Sequence, residues 1–381
     1  TFQQLGITEA EVVQAGRLPN PGFSFARLTR GDELELERGF HFNLARLLAM
    51  PLVAEVEARR FEQTKGMVAM SVLSLAADTR RAYFNALAAE ETVRYMRQVQ
   101  QAAEASAELA RRMEQVGNFN KLQRAREQSF YADAALNLAR AEQAQSATRE
   151  RLIRRLGAWG AMTRFTLPER LPDLPDAALD QPGIEAVALA QRLDVLGAKL
   201  AAEQTAKNLG LTRTTRFINV LELGVVSNSG NFEPSQRGWE ISVELPLFDW
   251  GDARVARAEA VYMQSVHRAP ETAINARSEV REAYTGYRSA FEIARHHFEE
   301  IVPLRKRIAE ENLLRYNGML LGVFELLADA RAQIASVNNA IEALRDFWIA
   351  RSDLDMALIG KPSLTLPSGP AISAEPGAAA H

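Results

Sequence analysis

Between Leu52 and Leu167 the chain contains no proline, and Gly66 is the one glycine before Gly117. Within this stretch Val68, Val72, Leu75, Thr79, Ala82, Ala86, Ala89, Val93 and Met96 recur at alternating spacings of four and three residues, the seam of helices packed side by side. The spacing predicts a helix from about residue 52 to 116, on the order of 95 Å long at ~1.5 Å per residue. No compact globule holds such a rod. Gly117 and Asn118 mark a turn, and a return helix is expected to about Leu156, where Gly157 ends it.

The segments ahead of the long helices carry a different period. In "GWEISVELPLFDWG", from Gly238, the residues Trp239, Ile241, Val243 and Leu245 alternate with Glu240, Ser242 and Glu244, which reads as a strand with one apolar face. "FINVLELGVV" is expected to be its partner across the turn-rich "SNSGNFEPSQRG", a long hairpin loop. Near the start, "PNPGFSFARL" puts Phe23, Phe25 and Arg27 on one face. A return strand from Glu33 to Leu44 places Leu34, Leu36, Phe40, Phe42 and Leu44 opposite Glu33, Glu35, Glu37, His41 and Asn43.

This order occurs twice. "DTRRAYFNAL" at Asp78 and "EVREAYTGYR" at Glu279 align Arg80 with Arg281, Ala82 with Ala283 and Tyr83 with Tyr284, an offset of 201 that also matches Leu44 to Leu245 and Gly117 to Gly318. One unit has been duplicated. The expected organisation is a first repeat at 1–160, a proline-rich linker at 161–183, a second repeat at 184–361 and a disordered tail at 362–381. A single helix is expected from about Ile184 to Asn208. In the second repeat Pro270 and Pro303 are expected to interrupt the outgoing helix.

Composition excludes several classes. A net charge of −3 over 381 residues leaves no footprint for nucleic acid. The absence of cysteine removes disulfides, thiolate metal sites and a cysteine nucleophile. No stretch reaches the roughly 18 consecutive apolar residues of a membrane-spanning helix, a test to which a β-barrel is blind. The start at Thr1 is read as processed or trimmed. No phosphate loop, zinc-hydrolase helix or nucleophile elbow occurs, so no enzyme, cofactor or metal is expected. Adjacent His296 and His297 point about 100° apart on a helix, and no neighbouring carboxylate is expected to complete a metal set.

Four strands cannot close a membrane barrel, since the smallest need about eight. The expected fold is therefore mainly α with a membrane β-barrel. Each duplicated unit is a β-hairpin plus a long helical hairpin, and a homotrimer forms a 12-stranded barrel over an α-helical coiled-coil tunnel. Phe40, Phe42, Leu44, Trp239, Ile241, Val243 and Leu245 would face outer-membrane lipid, and Glu33, Glu35, Glu240 and Glu244 a wet lumen. Trp239 and Trp250 suit an aromatic girdle, with ordinary packing as the alternative.

With these residues in place the chain resembles the TolC-like outer-membrane efflux proteins. "RLPNP" at Arg17 looks like the family's approach to its first strand, "LPLFDWG" at Leu245 like its second strand-to-helix junction, and "QVGNFNKL" and "YNGMLLGVFELL" like its two helical tips. The resemblance covers roughly residues 1 to 361. It departs at "QRLDVL", where Leu193 replaces the proline of the family's Arg-Pro-Asp, and at "LARLLAMPL", which lacks Pro-Leu-Phe. "TFQQLGITEAEVVQAG" looks like only the end of the family's first helix.

The resemblance implies an outer-membrane exit duct of a tripartite efflux system in a Gram-negative bacterium, its tunnel in the periplasm. It would be passive, and coupled to a periplasmic membrane-fusion adaptor and an inner-membrane pump. A type I protein-secretion channel is the alternative within transport, and a non-conducting coiled-coil scaffold the alternative outside it. By the same resemblance Glu325 lies at the pore constriction. Asp329 stands one residue beyond the family's second carboxylate position, which is Ala328 here. The tip turns at Gly117, Asn118, Asn317, Gly318 and Gly322, shaped by glycines with positive φ, would contact the adaptor. The alternative for Glu325 and Asp329 is a solvated helix face.

Overall fold

The computed structural model of the chain describes residues 2–216, 220–244, 247–318, 320 and 322–362. The expected tail at 362–381 falls, but for its first residue, outside them, as does Leu245. Two compact units are present, residues 1–72 with 189–277 and residues 73–188 with 278–381. Each draws on both sequence repeats.

The first unit holds α1 (Phe2–Ala15), β1 (Gly22–Arg30), β2 (Glu33–Asn43), the opening of α2 (Leu44–Gln115), α5 (Leu193–Thr215), β3 (Leu221–Gly230), β4 (Gln236–Val243) and the opening of α6 (Asp252–His296). Its sheet is antiparallel in the order β1-β2-β3-β4. The helices stand in the same order as the strands they adjoin. Arg60 of α2 pairs with Glu11 of α1 at 3.1 Å, and Lys207 of α5 with Glu55 of α2 at 3.1 Å. Thr205 of α5 shares a 2.6 Å hydroxyl hydrogen bond with Ser265 of α6.

Four local expectations change here. Leu44 opens α2 instead of ending β2, because the Asn43 side chain accepts from the Arg46 amide at 2.7 Å and caps the helix at once. The helix then passes through Pro51, which lies inside it, so it starts earlier than the proline suggested. "SNSGNFEPSQRG" is mostly ladder: Ser227 pairs with Arg237 and Asn228 with Gln236. The same Ser227 and Asn228 pair on their other side with Arg38 and Glu37 of β2, and this double pairing overrides their weak strand propensity. The Asn231 side chain secures the result by accepting from the Leu34 amide at 2.8 Å and donating to the Asp32 carbonyl at 2.6 Å. Finally, the helix expected from Ile184 is two helices, α4 (Ile184–Gln191) and α5, broken at Arg192, whose φ of −63° and ψ of 124° are extended.

The second unit packs the remainder of α2 with α3 (Lys121–Leu156), the remainder of α6, α7 (Val302–Asn317) and α8 (Val323–Ile359). Its core joins Leu87, Val280, Tyr287, Phe291, Phe347 and Leu354, and Phe347 lies 5.5 Å from the Tyr287 ring and 5.8 Å from the Phe291 ring. The proline-rich segment is a packed strap across this core. Leu171 and Ile184 are buried in it, the Leu179 amide donates to the Tyr287 hydroxyl at 2.9 Å, and Trp348 Nε1 donates to the Pro172 carbonyl at 2.9 Å. Proline suits such a strap because it leaves one fewer amide to satisfy per residue.

Pro270 does not interrupt α6, which runs through it. Ahead of Pro303 the α-helix is interrupted as expected, by a π-helical turn, His297–Ile301, after which α7 begins with the proline in its first turn. The seam of α2 is only partly covered within the chain. Val68, Ala86, Val93 and Met96 are buried, whereas Val72 and Leu75 remain exposed.

Candidate functional site

The register divides the sheet into two faces of opposite chemistry. Phe23, Phe40, Val225 and Trp239 form one row across all four strands; Phe42, Leu223 and Ile241 form the next, and Leu221 and Val243 the next. Most of these side chains stand open, Trp239 at 74% exposure. The other face carries Glu33, Glu35, Glu37, His41, Glu222 and Glu240, together with Gly22, Gly39, Gly224, Gly230 and Gly238. Glycine has a defined use there: a Cβ at Gly22 would lie 2.1 Å from the His41 ring, which folds across that strand. Of the residues expected to face lipid, Phe40, Phe42, Trp239, Ile241 and Val243 share the first face; Glu33, Glu35 and Glu240 share the second. Leu44 has left the sheet for the helix, and Glu244 sits one residue past β4, its amide donating to the Val220 carbonyl at 3.2 Å. Just beyond, Phe248 is 99% exposed, beside exposed Leu247 and Trp250.

Both helical tips lie in the second unit. At the first, Gly117 takes a φ of 83° and the Asn118 amide returns to the Met113 carbonyl at 2.9 Å. Asn120 then caps α3 in a reciprocal box with Gln123, and Glu114 pairs with Arg124 across the turn at 2.8 Å. At the second, Asn317 ends α7, and Gly318 and Gly322 have φ of −82° and −80°. Positive φ is thus confined to Gly117 among these glycines; the α7 end is closed instead by amides of Gly318 and Leu320 returning to Leu314 and Arg315. Gly117, Asn118, Asn317, Gly318 and Gly322 are all exposed. Glu325 is exposed in the first turn of α8, while Asp329, one turn on, is half-buried and accepts a hydrogen bond from the Asn312 side chain of α7. The two carboxylates therefore differ: Glu325 is open, and Asp329 is held against its own hairpin.

Three ionic features were not legible beforehand. Arg192, 0% exposed, grips Asp194 through two hydrogen bonds of 2.9 and 2.6 Å and reaches the Ala276 carbonyl at 3.4 Å. Burial pushes the Asp353 carboxyl up to about 6, against the pull of Arg81 2.9 Å away. At the helix surface, hydrogen bonds from Arg111 and Arg112 hold Glu108 down at about 2. His296 does have a carboxylate beside it, Glu300 at 3.1 Å, its i,i+4 neighbour along the helix. Among the described residues no group of three possible metal ligands forms, and no helix is long and apolar enough to cross a membrane.

A sheet with one greasy and one acidic face, continued by long helical hairpins, is the fold of the TolC-like outer-membrane channels. Solved structures match along nearly the whole chain. A membrane protein from Pseudomonas aeruginosa gives a TM-score of 0.80 at 17% identity, covering 94% of this chain and 89% of that one. The outer-membrane protein VceC of Vibrio cholerae gives 0.77 at 14% identity, covering 94% and 91%. The MtrE outer-membrane channel of Neisseria gonorrhoeae in its open state gives 0.75 at 19% identity, covering 94% and 85%. No sequence-family model and no curated protein sequence matches the chain.

Proposed function

We propose that the chain is the protomer of a homotrimeric outer-membrane exit duct, carrying substrates handed on by a periplasmic adaptor and an inner-membrane pump. The observation that carries this reading is a sheet open at both edges, with exposed β1 and β4 outermost and the order α1, α2, α5, α6 running alongside. Such edges invite strand pairing. If β4 of one copy pairs with β1 of the next, the contact is head-to-tail and closes into a ring. Two copies would make a barrel of about eight strands, whose interior is filled by side chains. A face of glutamates and glycines cannot fill a core, so three copies are the fewest that leave a lumen. The apolar face then meets lipid and the acidic face water.

Glu325, open at the second tip, would form an acidic ring around the threefold axis, selecting cations at a constriction. The exposed tip turns would receive the adaptor. Single-channel recording of the purified protein in a planar bilayer tests the duct and the ring. A small, cation-preferring conductance is expected, with cation preference reduced in Glu325→Ala. A soluble monomer without conductance would refute the duct; an unchanged ion preference would refute the ring.

A further inference from the structure

The two faces of the sheet differ in sign as well as polarity. Every glutamate of the four strands lies on the glycine-rich face. Of the four arginines in the strands, Arg30 ends β1 opposite Glu33 on that same face, whereas Arg27, Arg38 and Arg237 lie on the apolar one with their side chains exposed. None of these three has a described carboxylate within ion-pair distance. Their position is specific. Phe25, Arg38, Ser227 and Arg237 form a single row across the sheet, and Arg27 stands one row further along, opposite Leu36 and Ser229.

That row lies immediately above the row of Phe23, Phe40, Val225 and Trp239, on the side of the hairpin turns. Every helix joins the sheet at the opposite end. Below the arginines, three apolar rows extend for about 14 Å along the strands at ~6.8 Å per two residues. Arg38 and Arg237 are separated by one strand, about 10 Å between Cα atoms at ~4.8 Å per strand. The residue between them is Ser227, small and itself a hydrogen-bond donor. Two guanidinium groups can close over it onto one tetrahedral anion, with the serine hydroxyl beneath.

We propose that Arg38 and Arg237, flanked by Arg27 and with Ser227 as floor, bind the phosphate group of an acylated lipid in the outer leaflet, its hydrocarbon chains lying on Phe23, Phe40, Val225 and Trp239. This rests on the duct reading, which turns the apolar face to lipid. The chemistry selects a phosphate-bearing amphiphile. Arginine on an otherwise apolar lipid-facing wall carries a cost that falls toward the interface, and a phosphate offsets it through charge-assisted, bidentate hydrogen bonds. A zwitterionic or uncharged headgroup offers less to three unpaired guanidiniums. Ordinary snorkelling into water would not need Arg38 and Arg237 to flank Ser227 in one row, directly above three apolar rows.

The test uses the full-length trimer in detergent, titrated with diphosphorylated lipid A, with the same lipid after removal of both phosphates, and with inorganic phosphate alone. Bound lipid is counted by native mass spectrometry. The wild type should prefer the phosphorylated lipid by about tenfold or more, as expected for loss of one charge-assisted contact, and inorganic phosphate should not compete at equal concentration. R38Q/R237Q should lose that preference, while Glu37→Gln, on the other face, should keep it. Equal affinity of the wild type for the two lipids overturns the site, and this arm needs no variant to fold. Retention of the preference in R38Q/R237Q overturns it too, as does displacement by free phosphate. Bilayer conductance of the same wild-type preparation separates the two ideas: conduction without phosphate preference refutes the lipid site and leaves the duct, whereas failure to insert refutes both.

Discussion

Arg192 offers the sharpest energetic test of the structure. It sits at the break between α4 and α5 with its side chain 1% exposed, forked onto Asp194 and reaching α6 through the Ala276 carbonyl. Removing one member of a buried, hydrogen-bonded pair strands the other charge away from water, at a cost of about 3–5 kcal/mol. For a unit spanning 1–72 and 189–277, each kcal/mol moves the unfolding midpoint by about 2–4 °C, so Arg192→Ala should lower it by about 6–20 °C. Replacing both partners has a different consequence, because R192M/D194L removes the desolvation cost along with the attraction. The double variant should recover most of the loss, less about 0.3–1 kcal/mol for the acid in the first turn of α5. Thermal unfolding of the wild type, Arg192→Ala and R192M/D194L, followed by circular dichroism at pH 7.5 in one detergent, tests both expectations. If Arg192→Ala unfolds with the wild type, or the double variant is no better than Arg192→Ala, the pair is not the clamp described here.

Asp353 predicts an inverted pH dependence. Its carboxyl is raised from 3.8 to about 6, so the folded state binds the proton more tightly, and this group's contribution is most favourable below about pH 4 and is lost as pH rises through about 6, a span of up to about 3 kcal/mol. Asp353→Asn should therefore match the wild type near pH 4 and exceed it in midpoint above pH 6.5; a deficit at pH 7.5 equal to that at pH 4 would contradict the argument. Leu193→Pro should be tolerated or raise stability by about 0.4–1 kcal/mol, since Leu193 is the first residue of α5 and the extended Arg192 already suits a following proline; a lower midpoint in thermal unfolding counts against it. Asn120→Ala should cost about 1 kcal/mol by opening the box with Gln123, visible as faster amide exchange at the start of α3 with no change in its middle.

What could be read from the residues was whatever depends on near neighbours. Alternation over Trp239 to Val243 and the turn at Gly117 survive folding because period and turn chemistry are local. The failures involve partners far along the chain. Asn231 looked like loop until its side chain met Asp32 and Leu34, and Arg192 looked like helix until it found the Ala276 carbonyl. Pro270 misled because it was absorbed inside α6, whereas the outgoing helix does break just ahead of Pro303, as a π turn. Both tip carboxylates could be named from the sequence, but not that Asn312 would hold Asp329 while Glu325 stayed open. The periodic positions that one chain leaves uncovered point the same way. Val72 and Leu75 continue the seam of α2 yet stay exposed, as do Phe248 and the outer edge of β4. A seam, an aromatic side chain and a strand edge left open in one chain are what the proposed duct would cover with a neighbouring copy, so the mismatch between period and burial supports that proposal.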